Sequence, residues 1–537
     1  MAESRAGTAP AAPVMGRTLP RLAFAVALAL PLLWRLGAPP LFDVDEGAFA
    51  EATRELVASG DWLHTTLNGA DRFDKPIGIY WLQALAATVF GMGEFAVRLP
   101  SALACWGLAL ALSSFAARRW GETAGAAAGL VAAASVGLQA IGRAATADGV
   151  LNLLLVLAAL DAWRHVETGA PAPLRRAYAW VGFGLLVKGP IAMLVPGAAF
   201  ILWCATGRQL ALLRRAAGDA VGWALLAAIA LPWYAYALQR HGLAFVEGFL
   251  VHHNLERFAG PLQGHGGTPL YYLVVLPLMA MPWAPLLVAA GARAREHWRD
   301  PLGRYLLGWA AFVFVFFSLS GTKLPHYVLY GYAPLALLMA RTLAADSTRL
   351  RTVVALGLVA WCVVAAATPW VVLRMAPSIG DPLYRALLAG APAPAWWPAA
   401  CAPVLVAALA FCPWPVRDGV ARIGAAALAL ALFCAGWLLP WFGEALQGPV
   451  RRAAQVAAGQ GGPAVQWRLH RPSFGFYMSR PAPLREPAAN DMALTRADRL
   501  SPGDEAGRTR LLDERGLVLL GPRTGSAVVP DQKRTAR

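Results

Sequence analysis

The chain has 537 residues, 58% of them hydrophobic and only 15% charged, where a soluble domain carries roughly a quarter charged residues, so it reads as a multi-span membrane protein. Its net charge of +16 does not point to nucleic acid: the arginines recur in short clusters between apolar runs, and no basic face carries interleaved aromatics. All six cysteines (105, 204, 362, 401, 412 and 434) fall inside apolar runs with no CxxC, which marks them as small buried hydrophobes rather than disulfide or metal partners.

The polar N-terminal stretch 1–20 places Arg5, Arg17 and Arg21 ahead of the first apolar run, with no small-residue cleavage site after Leu41. An uncleaved signal anchor is expected. Apolar runs follow near 20–38, 97–117, 122–141, 146–163, 177–187, 190–206, 219–238, 269–291, 303–319, 325–341, 352–373, 395–412 and 420–440. They predict about 13 transmembrane helices. Basic clusters such as Arg118/Arg119, Arg214/Arg215 and Arg349/Arg351 fall in every second loop and define the cytoplasmic face. An odd number of spans then puts the tail outside. Two regions are expected: residues 1–440 as the membrane domain and 441–537 as a small extracytoplasmic α/β domain, with short strands near Val465–Leu469 and Leu517–Leu520. No internal repeat is evident.

The first outer loop, 39–96, is long and amphipathic. Ala48–Val57 and Ile77–Phe90 show helical spacing of apolar residues, as helices lying in the membrane interface do. The same loop holds Asp43, Asp45, Glu46, Asp74 and Lys75. Later outer loops add Arg143 and Asp148, then Lys188, then His252, His253, Asn254, Arg257 and His265, then Lys323, His326 and Tyr327. Lysines and arginines at helix ends often only snorkel to the interface. A set mixing acids, bases and histidines on one face instead suggests convergence on a single outer cavity.

In chain order come Asp45-Glu46 with Ala50-Glu51 and Arg54-Glu55, then Phe73-Asp74-Lys75-Pro76, Tyr80-Trp81-Leu82 and Glu94-Phe95-Ala96-Val97-Arg98-Leu99-Pro100-Ser101. Thr146-Ala147-Asp148, Lys188-Gly189-Pro190, His253-Asn254-Leu255, Lys323-Leu324-Pro325-His326-Tyr327 and Arg471-Pro472-Ser473-Phe474 follow. In this order and topology the chain resembles the bacterial aminoarabinose-transferase branch of the protein O-mannosyltransferase superfamily, polyprenyl-phosphate-sugar glycosyltransferases of the GT-C type. The resemblance runs nearly end to end. Two positions depart from it: Ala48 and Phe49 stand where the lipid A transferases usually carry Arg-Tyr, and Asp74 replaces the usual Glu before Lys75.

The resemblance implies an all-α polytopic GT-C body in the bacterial inner membrane with its active site facing the periplasm. It also implies transfer of a sugar from a polyprenyl-phosphate donor to a lipid A-like acceptor, with membrane lipids as further partners. Such transfer breaks a C1–O bond through an oxocarbenium-like transition state while charge grows on the departing phosphate. The site therefore needs cations at the phosphate and a carboxylate near sugar or acceptor. Lys75 is the first candidate for the phosphate because its neighbours match the family's phosphate-binding segment; Lys188, Arg143, Arg257 and Lys323 are the others. Asp45 is the first candidate for the catalytic carboxylate, with Glu46 as fallback and Asp148 as a second acid. Asp43 or Asp45 capping the helix that follows, and Asp148 capping its own span, remain alternatives.

Asp74, Tyr80, His253, Asn254, His265 and Tyr327 are candidate substrate contacts. Imidazole with carboxylate suits zinc or manganese, so Asp74 and His265, with His253, form a candidate metal set. No tight ligand spacing supports it, and no cofactor is required. Transfer to protein Ser/Thr or to another envelope glycan is the alternative acceptor reading. A polyprenyl-lipid transporter or flippase is the alternative from another class, against which stand the missing repeat and the charges gathered at one face rather than the midplane.

Overall fold

The computed structural model describes residues 15–256, 260, 266–345, 348–413 and 418–523. The first helix, α1 (Met15–Leu33), leads into the outer loop, which folds as α2 (Asp45–Ser59), a hairpin of β1 (Thr66–Leu67) and β2 (Ala70–Asp71), and α3 (Gly78–Phe90). The hairpin turns on Asn68-Gly69, both at positive φ (55° and 80°), the backbone that a two-residue reverse turn demands and that Asn-Gly adopts most cheaply.

The two loop helices differ. Nearly all of α2 is buried, from Glu46 to Leu56. By contrast α3 leaves Leu85, Val89 and Phe90 exposed, the apolar outward face expected of a helix lying against lipid. The membrane body continues with α4 (Glu94–Trp120), α5 (Glu122–Ala133), α6 (Val136–Gly142), α7 (Asp148–Thr168), α8 (Pro171–Lys188), α9 (Ile191–Thr206), α10 (Leu210–Ala217) and α11 (Ala220–His241). Helices α4 and α5 pack closely because Gly125 has no side chain: a Cβ there would lie 2.5 Å from Ala117 Cβ. Without a hydrophobic drive between helices in lipid, such close backbone contact is what holds them together. Val288, Leu356 and Val404 point outward and remain exposed, consistent with a lipid-facing belt.

Among the described residues seven helices are long and apolar enough to cross a membrane, or up to nine if each of two bent pairs is one span. Thirteen apolar runs give a larger number because some form short helices. The run at 190–206 becomes Ile191–Thr206 and that at 395–412 becomes Trp396–Phe411, each shorter than a full crossing.

Gly419–Phe433 continues through a π-helical turn (Cys434–Leu438) into Leu439–Gln460, giving 42 residues of unbroken helix. This helix runs through residue 440 and carries the chain into the C-terminal region. There β3 (Ala464–Gln466), β4 (Met492–Arg496), β5 (Arg508–Glu514) and β6 (Leu517–Arg523) form one sheet in the order β3-β4-β6-β5. The β3–β4 pair is parallel and the other two are antiparallel. Leu494, Leu517, Leu519 and Phe474 form a small separate core there. The architecture is the helical polytopic body with a small C-terminal sheet that the sequence implied.

Candidate active site

The outer loop is anchored first by Glu46. Its Oε1 accepts from Arg98 Nε (2.8 Å) and from the Ala145 amide (2.7 Å), and its Oε2 from Arg98 Nη2 (2.8 Å) and the Phe42 amide (2.9 Å). Glu46 is 4% exposed, and this arrangement makes it a brace between the start of α2, helix α4 and the turn before Asp148. A buried carboxylate so fully bonded has no oxygen to offer a substrate.

Asp43 does not cap α2, which begins without a side-chain cap. Its carboxylate instead accepts from the Ser473 amide (3.0 Å) and the Ser473 hydroxyl. Burial pushes its pKa up to about 6, against the lowering effect of those bonds and of the Arg471 charge. The same tail segment reaches the loop again through Tyr477, whose hydroxyl accepts from the Leu41 amide (2.8 Å) and donates to Glu94 (3.1 Å). Asp45, two residues on from Asp43, is exposed and its carboxylate makes no hydrogen bond among the described residues.

Opposite Asp45 lies a cation that the sequence motifs did not single out. Arg72 donates to the Tyr80 hydroxyl (3.0 Å), pairs with Asp74 (2.9 Å) and sits over the Phe49 ring (5.6 Å). Tyr80 is itself fully buried and stacked on Phe49 at 5.6 Å, so it holds Arg72 rather than lining an open surface. His470 from the tail faces the same group; burial, then the charges of Arg72 and Arg471, push its pKa down. Lys75 Nζ donates to the Asp74 carbonyl (2.8 Å).

A second cluster joins three helix ends. Asp148, at the start of α7, accepts from Lys188 at the end of α8 (2.6 Å) and from the Tyr330 hydroxyl (2.7 Å). Lys188 also donates to Tyr330 (2.8 Å) and lies 5.6 Å from the Tyr327 ring centre. His326 Nε2 is 3.7 Å from Asp148. Helix α7 starts without a side-chain cap, so Asp148 serves this cluster and not its own helix.

The two clusters meet at one end of the bundle. A Cβ on Gly78, three residues after Lys75, would lie 2.8 Å from the Leu186 carbonyl oxygen, two residues before Lys188. Glu46 meanwhile bonds Ala145, three residues before Asp148. The first loop is thus fastened directly over the Asp148–Lys188 pair.

Two candidate phosphate ligands lie elsewhere. Lys323 directs its ammonium to the carbonyls of Phe317 (3.4 Å), Ser318 (2.8 Å) and Ser320. Arg143 donates to the carbonyls of Pro31 (2.9 Å), Leu32 (3.0 Å) and Arg35 (3.3 Å). Each is a buried cation at a helix C-terminus, where unpaired carbonyls and the helix dipole both favour positive charge. The Lys323 ammonium and the Arg143 Nη groups bond backbone, against the expectation that they face a phosphate, while Arg143 Nε has no partner among the described residues. Arg257 and His265 lie outside the described residues, as do the side chains of His253 and Asn254, so the candidate metal set with Asp74 does too.

Arg72, Arg98 and Tyr330 are the site and brace residues not chosen from the sequence, whereas His326 was named there only as one of the outer-loop set. Arg72 adjoins the Phe73–Pro76 motif, and Arg98 sits inside the quoted Glu94–Ser101 block. A cation next to a motif was the available signal.

Residues 74–236 match the family model for dolichyl-phosphate-mannose-protein mannosyltransferases. The chain is 33% identical over 327 residues to the undecaprenyl phosphate-alpha-4-amino-4-deoxy-L-arabinose arabinosyl transferase of Edwardsiella ictaluri, an alignment covering 59% of this chain and 57% of that one. It is 31% identical over 402 residues to the Erwinia tasmaniensis protein of the same name, with 72% of each chain covered. The crystal structure of ArnT from Cupriavidus metallidurans bound to undecaprenyl phosphate superposes with a TM-score of 0.77 at 22% identity, covering 95% of this chain and 98% of that one. The apo state of the same protein gives 0.79. At that identity the likeness concerns the fold.

Proposed function

The chain belongs to the family of undecaprenyl phosphate-aminoarabinose arabinosyl transferases, and from that premise we propose that it is an inner-membrane glycosyltransferase. It takes a sugar from a polyprenyl-phosphate donor and passes it to a lipid A-like acceptor on the periplasmic face. The observation that carries this reading is the fastening of the acidic first loop, with exposed Asp45 and the Asp74–Lys75 segment, over the Asp148–Lys188–Tyr330 cluster.

In this reading Lys75 receives the donor phosphate, with Lys188 supporting it. Charge on the leaving phosphate grows as the C1–O bond breaks, and fixed cations in a partly dry cavity stabilise that charge without reorganising. Asp45 faces the reacting side. With a hydroxyl acceptor it removes the proton; with a phosphate acceptor, already ionised near neutral pH, it orients and stabilises the sugar. Arg72, held by Asp74 and Tyr80, supplies positive charge close to Phe49.

The test is mass spectrometry of lipids and envelope glycans from cells with and without the protein. Loss of an aminoarabinose group from lipid A, with the undecaprenyl-phosphate sugar accumulating, is the expected result. A change in a protein glycan or another envelope glycan instead would replace the acceptor. No change in any glycan or lipid-linked sugar would defeat the transferase reading.

A further inference from the structure

The described residues bring one set of metal-ligating side chains together outside the site above. His64 precedes the β1–β2 hairpin, Asp71 ends it, and His241 is the last residue of α11. Asp71 Oδ1 lies 3.0 Å from His64 Nε2, and its Oδ2 lies 3.4 Å from His241 Nδ1. One ligand atom from each of the three residues falls within 4.8 Å of the others.

We propose that His64, Asp71 and His241 form a zinc site that staples the hairpin of the first loop to the outer end of α11. The metrics support it. A tetrahedral zinc with bonds of about 2.0–2.2 Å to nitrogen and oxygen holds its ligand atoms about 3.3 Å apart, close to the contact that each imidazole makes with its own oxygen of Asp71, within a set that spans at most 4.8 Å. Two imidazoles and one carboxylate suit zinc and disfavour magnesium or calcium, which take oxygen ligands. The imidazoles are largely shielded, with side chains 14% and 11% exposed, whereas Asp71 is 52% exposed. Solvent therefore reaches the carboxylate side, where water supplies the fourth ligand.

The surroundings are built to hold the rings. The His64 and His241 rings lie 4.8 Å apart, and Phe73 meets His241 edge-on at 5.1 Å. Trp233 of α11 donates to the Leu63 carbonyl (3.0 Å), fixing the backbone next to His64. The neighbouring positive charge, Arg240, is paired with Asp61 at 2.9 Å, which limits its repulsion of a cation. Without metal the same three groups would be no more than a surface hydrogen-bonded pair beside a second imidazole. That reading leaves two shielded imidazoles, tilted by 33°, sharing a single carboxylate.

The position gives the staple a purpose. Asp71 directly precedes Arg72, whose guanidinium pairs with Asp74 and Tyr80. A metal on Asp71 fixes one end of the 72–75 segment while Gly78 against Leu186 fixes the other. The site is structural in this assignment, and it stands independently of which sugar or acceptor is used.

The test uses the full-length protein in nanodiscs, stripped with a chelator and re-equilibrated with zinc alone. About one zinc per chain is expected at this site, with His64→Gln and His241→Gln each weakening binding by more than about tenfold, since even outer-shell losses cost that much. Glu122→Gln, which touches only the exposed Arg21 pair, should bind as the wild type does. Zinc retained at full affinity by both histidine variants overturns the proposal, as does no stoichiometric zinc in the wild type. Should either variant fail to fold, zinc-edge X-ray absorption on the wild type decides. A shell with two imidazoles supports the site, and oxygen alone sinks it.

Discussion

The guanidinium of Arg98 grips the carboxylate of Glu46 through two bonds of 2.8 Å, and its three remaining N–H groups go to the carbonyls of Leu36 (3.0 Å), Pro39 (2.7 Å) and Pro40 (2.9 Å). All five donors of a residue only 1% exposed converge on the joint where the first helix hands over to the first loop. Arginine's planar fork makes this arrangement possible, and a lysine ammonium with three donors cannot reproduce it.

Removing either partner leaves the other buried and charged, which costs about 3–5 kcal/mol. Glu46→Ala and Arg98→Lys are both expected to lower the melting temperature of the purified protein sharply, and activity should fall with folded fraction. A thermal melt of Arg98→Lys matching the wild type would refute the brace.

Asp45 calls for the opposite outcome. It is exposed and carries no protein hydrogen bond among the described residues, so Asp45→Asn should change stability by less than about 0.5 kcal/mol. Sugar transfer should nevertheless fall by at least about 100-fold if it is the general base. Transfer at the wild-type rate by a well-folded Asp45→Asn protein would remove it from the catalytic role.

The Asp148–Lys188 contact separates structure from chemistry. Lys188→Met strands Asp148 in a buried position and is expected to destabilise by about 3 kcal/mol or more. The double variant Asp148→Asn with Lys188→Met removes both charges and should regain most of that loss, while staying inactive. A double variant as unstable as the single one would show that the pair is not what holds these helix ends.

Asp43 predicts a pH dependence with a definite sign. Its folded pKa is about 6, above the ordinary value near 4, so the folded state binds a proton that the unfolded chain has released. Its contribution to stability is full below about pH 4 and is lost as pH rises through about 6. Relative to Asp43→Asn, the wild type should therefore lose melting temperature between about pH 4 and 6 and run parallel above. Wild-type stability rising over that window would reverse the assignment.

Much of the architecture was legible because hydrophobic run length and alternating arginine clusters are direct physical signatures of spans and orientation. The hairpin between α2 and α3 was not, since two-residue strands are too short for alternation to register. Within the site, Asp45, Asp148 and Lys188 could be named because isolated charges at helix ends stand out. What could not be read was which cations are consumed by the fold. Lys323 and Arg143 look in sequence like Lys188, yet they bond the carbonyls that end neighbouring helices, whereas Lys188 bonds Asp148; only the positions of the carbonyls tell them apart. For the same reason Glu46 and Asp45, adjacent in sequence, prove to be a brace and an exposed carboxylate.

The bond between Asp43 and the Ser473 amide joins positions 430 residues apart. At a synthesis rate of about 5–20 residues per second, Asp43 leaves the ribosome some 20–90 s before its partner exists. The loop carrying Asp45 and Lys75 therefore waits on the membrane surface, its acidic end unclosed, until the segment with Ser473 and Tyr477 has been translocated. Closure of this loop is in this sense a late event of synthesis by construction. A ribosome-stalled chain ending before Ser473 should show protease-sensitive cleavage within residues 39–76 that vanishes once Tyr477 has crossed.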